Sequence, residues 1–123
     1  MKVVVPIEKF EGLSSLVSAH FGRTPLFAVV GLRGDGGVES LTAVENTGEH
    51  LGGRVSVEEL IGKLKPDALI VKGMGPRGLN AFQSQGIAVF TGEFATLEDA
   101  VKGYVKGQLR GLTEACREAR HRF

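Results

Sequence analysis

The sequence has 123 residues, 42% hydrophobic and 24% charged, which is ordinary for a globular domain with its own core and excludes a disordered chain. The formal net charge of +1 excludes a global attraction to nucleic acid or to a membrane surface. One cysteine, no signal-peptide core and no apolar stretch of about 18 residues lead us to expect a cytoplasmic protein without disulfides.

The first part of the chain predicts three strands that pair as an antiparallel meander. Residues 3–5 are a β-branched run, typical of a central strand buried on both faces. Residues 13–23 have short helical spacing and are expected to form a loop with one helical turn. A second strand is predicted over Leu26–Leu32 and a polar edge strand over Val38–Glu45. The glycines in residues 34–37 indicate a hairpin between them.

The second part of the chain predicts alternating helices and strands. A capping box at residues 56–59 begins a helix that ends before Pro66. Buried strands are expected over residues 67–72 and 87–91, and a short helix over residues 76–85 lies between them. Both strands follow helices, so right-handed crossovers place them parallel to their neighbours.

The last main helix is expected to begin after Thr96 and to keep helical spacing as far as Leu109. Gly111 is expected to interrupt the helical structure, and residues 113–121 are expected to form a separate, frayed final helix. We therefore expect a cofactor-binding domain over residues 1–110 and a basic helical tail of the same domain over residues 111–123.

The order of elements is β-β-β-α-β-α-β-α. The simplest arrangement is an α/β fold with a five-stranded mixed sheet of order 3-2-1-4-5 and helices on both faces. The triple-valine strand lies at the centre of this sheet. This is a ribonuclease H-like arrangement.

Ligands of open α/β sheets bind beyond the carboxyl ends of the parallel strands. The turn GMGPRG over residues 73–78 lies there and opens a helix, where free N–H groups and the helix dipole attract anions. Gly73, Met74 and Gly75 would form a backbone cradle, Arg77 adds a cation and Asn80 an amide. The alternative is a plain strand-to-helix turn that needs glycine for packing.

The loop SAHFGRTP over residues 18–25 converges on the same edge. His20 can ligate a soft or borderline metal, and Arg23 can pair with an anion. The alternative is a histidine that hydrogen-bonds its own loop. His50, in a glycine-rich loop, is a further candidate ligand or a solvated side chain.

The sequence does not favour a zinc site, a nuclease site or a catalytic cysteine. Cys116 and His121 do not share one face of a helix, so Cys116 is interpreted as a buried apolar residue. No CxxC or HExxH motif indicates a closed zinc site. The strand ends lack the several carboxylates that a two-metal nuclease needs. No catalytic residue is predicted, and we expect a binding protein rather than an enzyme.

Four runs resemble the dinitrogenase iron–molybdenum cofactor biosynthesis family, of NifX/NifB type. They are SAHFGRTPLF (residues 18–27), EN (45–46), GG (52–53) and VKGMGPRGLN (71–80). The resemblance covers roughly residues 1–110 and implies a stand-alone, ribonuclease H-like carrier of iron–molybdenum cofactor or an iron–sulfur precursor between assembly proteins.

The resemblance implies that His20 is the first candidate ligand of such a cluster. Arg23 and Arg77 would be counter-charges, and Gly73 and Gly75 would cradle the cluster from the backbone. Three hypotheses therefore stand: a metallocluster carrier, a binding domain or enzyme for a phosphorylated or carboxylated metabolite at the same helix start, and a protein-interaction domain with a basic C-terminal helix. The edge strand would also allow a homodimer.

Overall fold

The computed structural model describes residues 1–48 and 55–119. In this part of the chain the strands are β1 (Lys2–Ile7), β2 (Leu26–Leu32), β3 (Val38–Glu45), β4 (Ala68–Ile70), β5 (Ala88–Thr91) and β6 (Arg110–Gly111). The helices are α1 (Val57–Leu64), α2 (Pro76–Gln85), α3 (Leu97–Val105) and α4 (Cys116–Ala119).

The described strands form one mixed sheet of order β3-β2-β1-β4-β5-β6. β1 pairs antiparallel with β2 and parallel with β4, and β4 pairs parallel with β5. The predicted order 3-2-1-4-5 is therefore confirmed, while the ribonuclease H-like class stays a prediction.

Gly111 lies between two helices as expected, but it is part of a strand, since α3 already ends at Val105 and α4 begins at Cys116. Gly111 pairs antiparallel with Phe90 of β5 and belongs to β6. A strand of two residues shows no hydrophobic periodicity, so nothing in the sequence indicated it.

The core lies on both faces of the sheet, and β1 is buried by the core residues on each face. Val3, Val5 and Ile7 pack on the face covered by α3, and Val4 packs on the face covered by α1 and α2. All four side chains are fully buried. Each fully buried side chain of this kind contributes about 1.5–3 kcal/mol, which explains why β1 is a continuous apolar run.

The helix starts follow the predicted caps. Ser56 Oγ accepts the Glu59 N–H at 3.1 Å ahead of α1, and Thr96 Oγ1 accepts the Asp99 N–H at 3.2 Å ahead of α3. The helix α3 ends four residues before the expected end, because the chain turns through Gly107 at φ +70°. No helix among the described residues is both long and apolar enough to span a membrane.

The chain after β1 folds back beside that strand. The Glu8 N–H donates to the Leu16 carbonyl at 3.0 Å, and the Ser18 N–H donates to the Pro6 carbonyl at 2.9 Å. Residues 8–25, all of which the structure describes, form a loop without a helix, and a tight turn over residues 11–15 corresponds to the expected helical turn. These bonds place the loop that starts at Ser18 directly beyond the end of β1.

Candidate functional site

A cleft of about 510 Å³ lies between the loop that follows β1 and the turn that joins β4 to α2. Its lining residues are Ala19, His20, Phe21, Gly22, Arg23, Glu58, Gly73, Met74, Gly75, Arg77 and Gly78. The two segments that the sequence placed at this edge of the sheet thus meet in one cleft.

Most of the predicted binding residues line this cleft. They are His20, Arg23, Gly73, Met74, Gly75 and Arg77. Asn80 is exposed on α2 and is not among the lining residues. His50 and the glycines at 52–53 lie outside the described residues.

Phe21 anchors the loop that carries His20 and Arg23. Its ring is buried and contacts Phe27 of β2, with ring centroids 5.7 Å apart. It also meets Phe82 of α2 edge-on at 5.6 Å. Aromatic pairs of this kind add about 0.5–1.5 kcal/mol beyond the area they bury. The core therefore fixes the residue between the two exposed side chains, His20 and Arg23, and holds both at the cleft.

Hydrogen bonds hold the same loop from behind. The buried Asn46 amide donates to the carbonyl oxygens of Gly22 at 3.2 Å and Thr24 at 2.9 Å. The Thr24 hydroxyl donates to the Ile7 carbonyl at 2.8 Å, which ties the loop to the end of β1. Asn46 belongs to the EN run of the sequence, but only the tertiary structure shows that it supports the cleft.

His20 uses its backbone, not its ring, to order the loop. Its N–H donates to Ser18 Oγ at 3.2 Å, and the side chain is exposed at the cleft. No hydrogen bond joins the imidazole to any residue of 1–48 or 55–119. The ring is therefore available to a ligand, because capping of its own loop does not occupy it.

The start of α2 is open toward the cleft. Gly75 is the N-cap at φ −72° and ψ 166°, Pro76 follows it, and neither a capping side chain nor an acidic residue lies in the first turn. The first N–H groups of a helix have no partner within the helix, and the dipole makes this end positive. This end of α2 can therefore receive an anion.

The two glycines of the cradle are not required by packing. A Cβ atom placed on Gly73 or Gly75 would meet no heavy atom within 4 Å, and neither residue has a positive φ. Gly78 differs, since its Cβ would lie 2.9 Å from Sδ of Met74. The packing explanation thus holds for Gly78, whereas the space beside Gly73 and Gly75 is open to a ligand.

Glu58 is a lining residue that the sequence did not indicate. It lies in the first turn of α1, is half-buried and reaches the start of α2, where its Oε1 is 4.0 Å from the position of a Cβ on Gly78. In the sequence, this segment was interpreted only through its capping box, in which Ser56 is the N-cap of α1. Only the packing of α1 against α2 places the carboxylate at the cleft.

A model of the family described as dinitrogenase iron-molybdenum cofactor matches residues 1–107. The chain belongs to this family. A relative from Methanocaldococcus jannaschii, the uncharacterized protein MJ0580, is 30% identical over 112 residues, which are 89% of this chain and 89% of the relative. The family predicted from the four sequence runs is thus confirmed.

Two solved structures show the same fold. The crystal structure of PH0822 is 30% identical, has a TM-score of 0.75 and covers 90% of this chain and 96% of its own. The apo form of the orange protein from Desulfovibrio gigas is 25% identical, has a TM-score of 0.71 and covers 89% and 91%. The family match supports a role in binding or carrying a cofactor.

The donor set of the cleft does not suit a bare metal ion. Within residues 1–48 and 55–119, no three His, Cys, Asp or Glu side chains come together as a metal site. The described lining residues of the cleft offer one imidazole, one thioether and one carboxylate, from His20, Met74 and Glu58, beside two guanidinium groups. This set suits a preformed anionic group, which needs counter-charges and one or two ligands, better than a closed zinc site.

Cys116 lies apart from this cleft. Its side chain is buried, and Sγ–H donates to the Val89 carbonyl on β5 at 3.1 Å. The residues beside it, Arg110 and Arg117, line a different cleft. The interpretation of Cys116 as a buried core residue is confirmed, while His121 lies outside the described residues.

Proposed function

We propose that this protein binds and carries an anionic metallocluster, of iron–sulfur or iron–molybdenum type, as cargo in the cleft between residues 19–23 and 73–78. The observation that supports this proposal most is that His20, Arg23 and Arg77 line the same cleft as the uncapped start of α2. Partner proteins of cofactor assembly would deliver and receive the cargo, and no catalytic step is part of the proposal.

The chemistry of the cleft supports this cargo. Clusters of this type carry negative charge on sulfur, which guanidinium groups and helix N–H groups complement. A neutral imidazole can take an open iron position, and His20 has its ring unoccupied by the loop. Gly73 and Gly75 leave room for the cluster to approach the backbone.

The binding strength that this site supports fits a carrier. A single imidazole and a few electrostatic contacts hold a cluster less firmly than four cysteine thiolates do. The described cleft contains no cysteine, and the two arginines and the helix start are partly open to water. Release to a partner would therefore not require the breaking of several metal–protein bonds.

Anaerobic reconstitution with iron and sulfide, with and without molybdate, tests the proposal. The readouts are absorbance and metal content of wild type, His20→Ala and the control Asn80→Ala. Asn80 is exposed on α2 just outside the cleft, so its variant should bind as wild type does. We expect stoichiometric iron in wild type and in the control, and loss of iron in His20→Ala. Wild type without bound iron would reject the proposal.

A second function is favoured by one specific observation, the open start of α2 without three converging metal ligands among residues 1–48 and 55–119. The same end of α2 would then bind a phosphorylated or carboxylated metabolite. In that case wild type would take up no iron, and inorganic phosphate would raise its Tm. Arg77→Ala should remove this rise, whereas Arg110→Ala, on the far edge strand, should keep it. The third hypothesis, an interaction domain, predicts neither result and stays a prediction.

A further inference from the structure

Glu58 is the one acidic side chain that lines the cleft, among the residues that the structure describes. It comes from α1, but it faces the first turn of α2, 4.0 Å from the Cβ position of Gly78. It makes no hydrogen bond to a described residue, although it is half-buried. Within α1 the carboxylate lies in the first turn, where it suits the dipole of its own helix, and it also lines the cleft, so its effect on the cleft requires an explanation.

The charge of Glu58 complements what α2 lacks. The first turn of α2 has no acidic residue and no capping side chain, whereas both α1 and α3 have two acidic residues and a cap of their own. Negative charge near the positive end of a helix is favourable and acts within about the first turn. Glu58 thus supplies, from a neighbouring helix, the negative charge that the start of α2 would otherwise take from solution.

The same carboxylate lowers the attraction of the cleft for anions. Arg23 and Arg77 bring two positive charges to the lining, and Glu58 offsets one of them. A small anion at the start of α2 would lie beside the carboxylate and be repelled. A larger anion that also reaches His20 and Arg23, on the opposite wall, gains contacts that outweigh this repulsion.

We propose that Glu58 is a specificity-determining residue that excludes small free anions, such as phosphate, from the start of α2 and so reserves the cleft for a larger polyanionic cargo. This inference rests on the proposed function, since it concerns the same cleft. It adds a discrimination that neither the family nor the positive side chains provide, because these would attract every anion.

Titration with inorganic phosphate, followed by calorimetry, tests this role in wild type, Glu58→Gln and Glu59→Gln. Glutamine keeps the shape of glutamate and removes only its charge. Glu59 is the matched control, because it lies next to Glu58 in α1 and is exposed outside the cleft. We expect Glu58→Gln to bind phosphate about three- to tenfold more tightly than wild type, as for two like charges roughly 6 Å apart and partly screened by water. The gain should shrink at high salt.

Equal phosphate affinity in wild type and Glu58→Gln would overturn the inference, as would an equal gain in Glu59→Gln. An absence of phosphate binding in Glu58→Gln would overturn it as well. The cluster proposal fails separately, when wild type takes up no iron. A phosphate gain in Glu58→Gln together with that failure would retain the discrimination against small anions and reject only the cluster as cargo.

Discussion

Replacement of Asn46 by alanine removes the side chain that holds the cleft loop from behind. The amide donates to two loop carbonyls, at 3.2 Å and 2.9 Å, and its Oδ1 accepts the Gly48 N–H at 2.9 Å. Asn46 is only 6% exposed, so water cannot replace all of these partners. A buried group left unpaired costs about 1–3 kcal/mol, and partial relaxation lowers the sum. We expect a loss of about 2–4 kcal/mol in the free energy of unfolding, and a fall in Tm of roughly 10 °C.

Urea unfolding followed by circular dichroism measures this loss. Asn80→Ala is the control, since that side chain is exposed on α2 and its replacement should change stability by less than about 0.5–1 kcal/mol. Asn46→Ala should remain folded and should also take up less iron, because the loop with His20 and Arg23 loses its support. A loss of stability below about 0.5 kcal/mol would refute the reasoning, because the three bonds would then not hold the loop.

The roles assigned to Gly75, Cys116 and Asp35 can each be tested by measurement. Gly75→Ala should cost less than about 1 kcal/mol in a urea titration, because its φ suits alanine and no atom is in the way, yet it should lower iron uptake; undiminished uptake would contradict the cradle. Cys116→Ser should keep full iron content, because Cys116 contacts β5 and lies away from the cleft. A loss of iron in this variant would contradict a cluster site at His20. The Gly37 N–H, and then Arg33, lower the pKa of the Asp35 carboxyl below its ordinary value. Its small contribution to stability is therefore present above the pKa of the unfolded chain and is lost as the pH falls through the lower folded pKa. An NMR titration of Asp35 with a midpoint at or above the ordinary value would disprove it.

The fold was predictable where local signals and burial agree. The run in residues 3–5 is apolar because β1 is covered on both faces, and Val3 and Val4 accordingly lie in different core clusters. Ser56 and Thr96 cap their helices because the side-chain oxygen accepts a backbone N–H three residues on, a contact that depends only on nearby sequence.

The sequence predicted the two segments that line the cleft, but not the side chains from other segments that contact them. The carboxyl ends of β1 and β4 meet because these strands are parallel neighbours, so the loop with His20 and the turn with Gly75 had to lie close together. Glu58 and Asn46 reach the cleft through contacts between distant parts of the chain. The spacing of residues within their own segments does not indicate these contacts. The strand β6 was not predicted for a similar reason, since it is recognised only by its pairing with β5.

The measurement that tests the central claim most directly is an anomalous-scattering map at the iron edge, from crystals of the reconstituted protein. We expect a peak in the cleft between His20 and the start of α2, near Gly75. A peak elsewhere, for example in the cleft beside Cys116 and Arg117, or no peak in protein that retains iron, would contradict the proposed site.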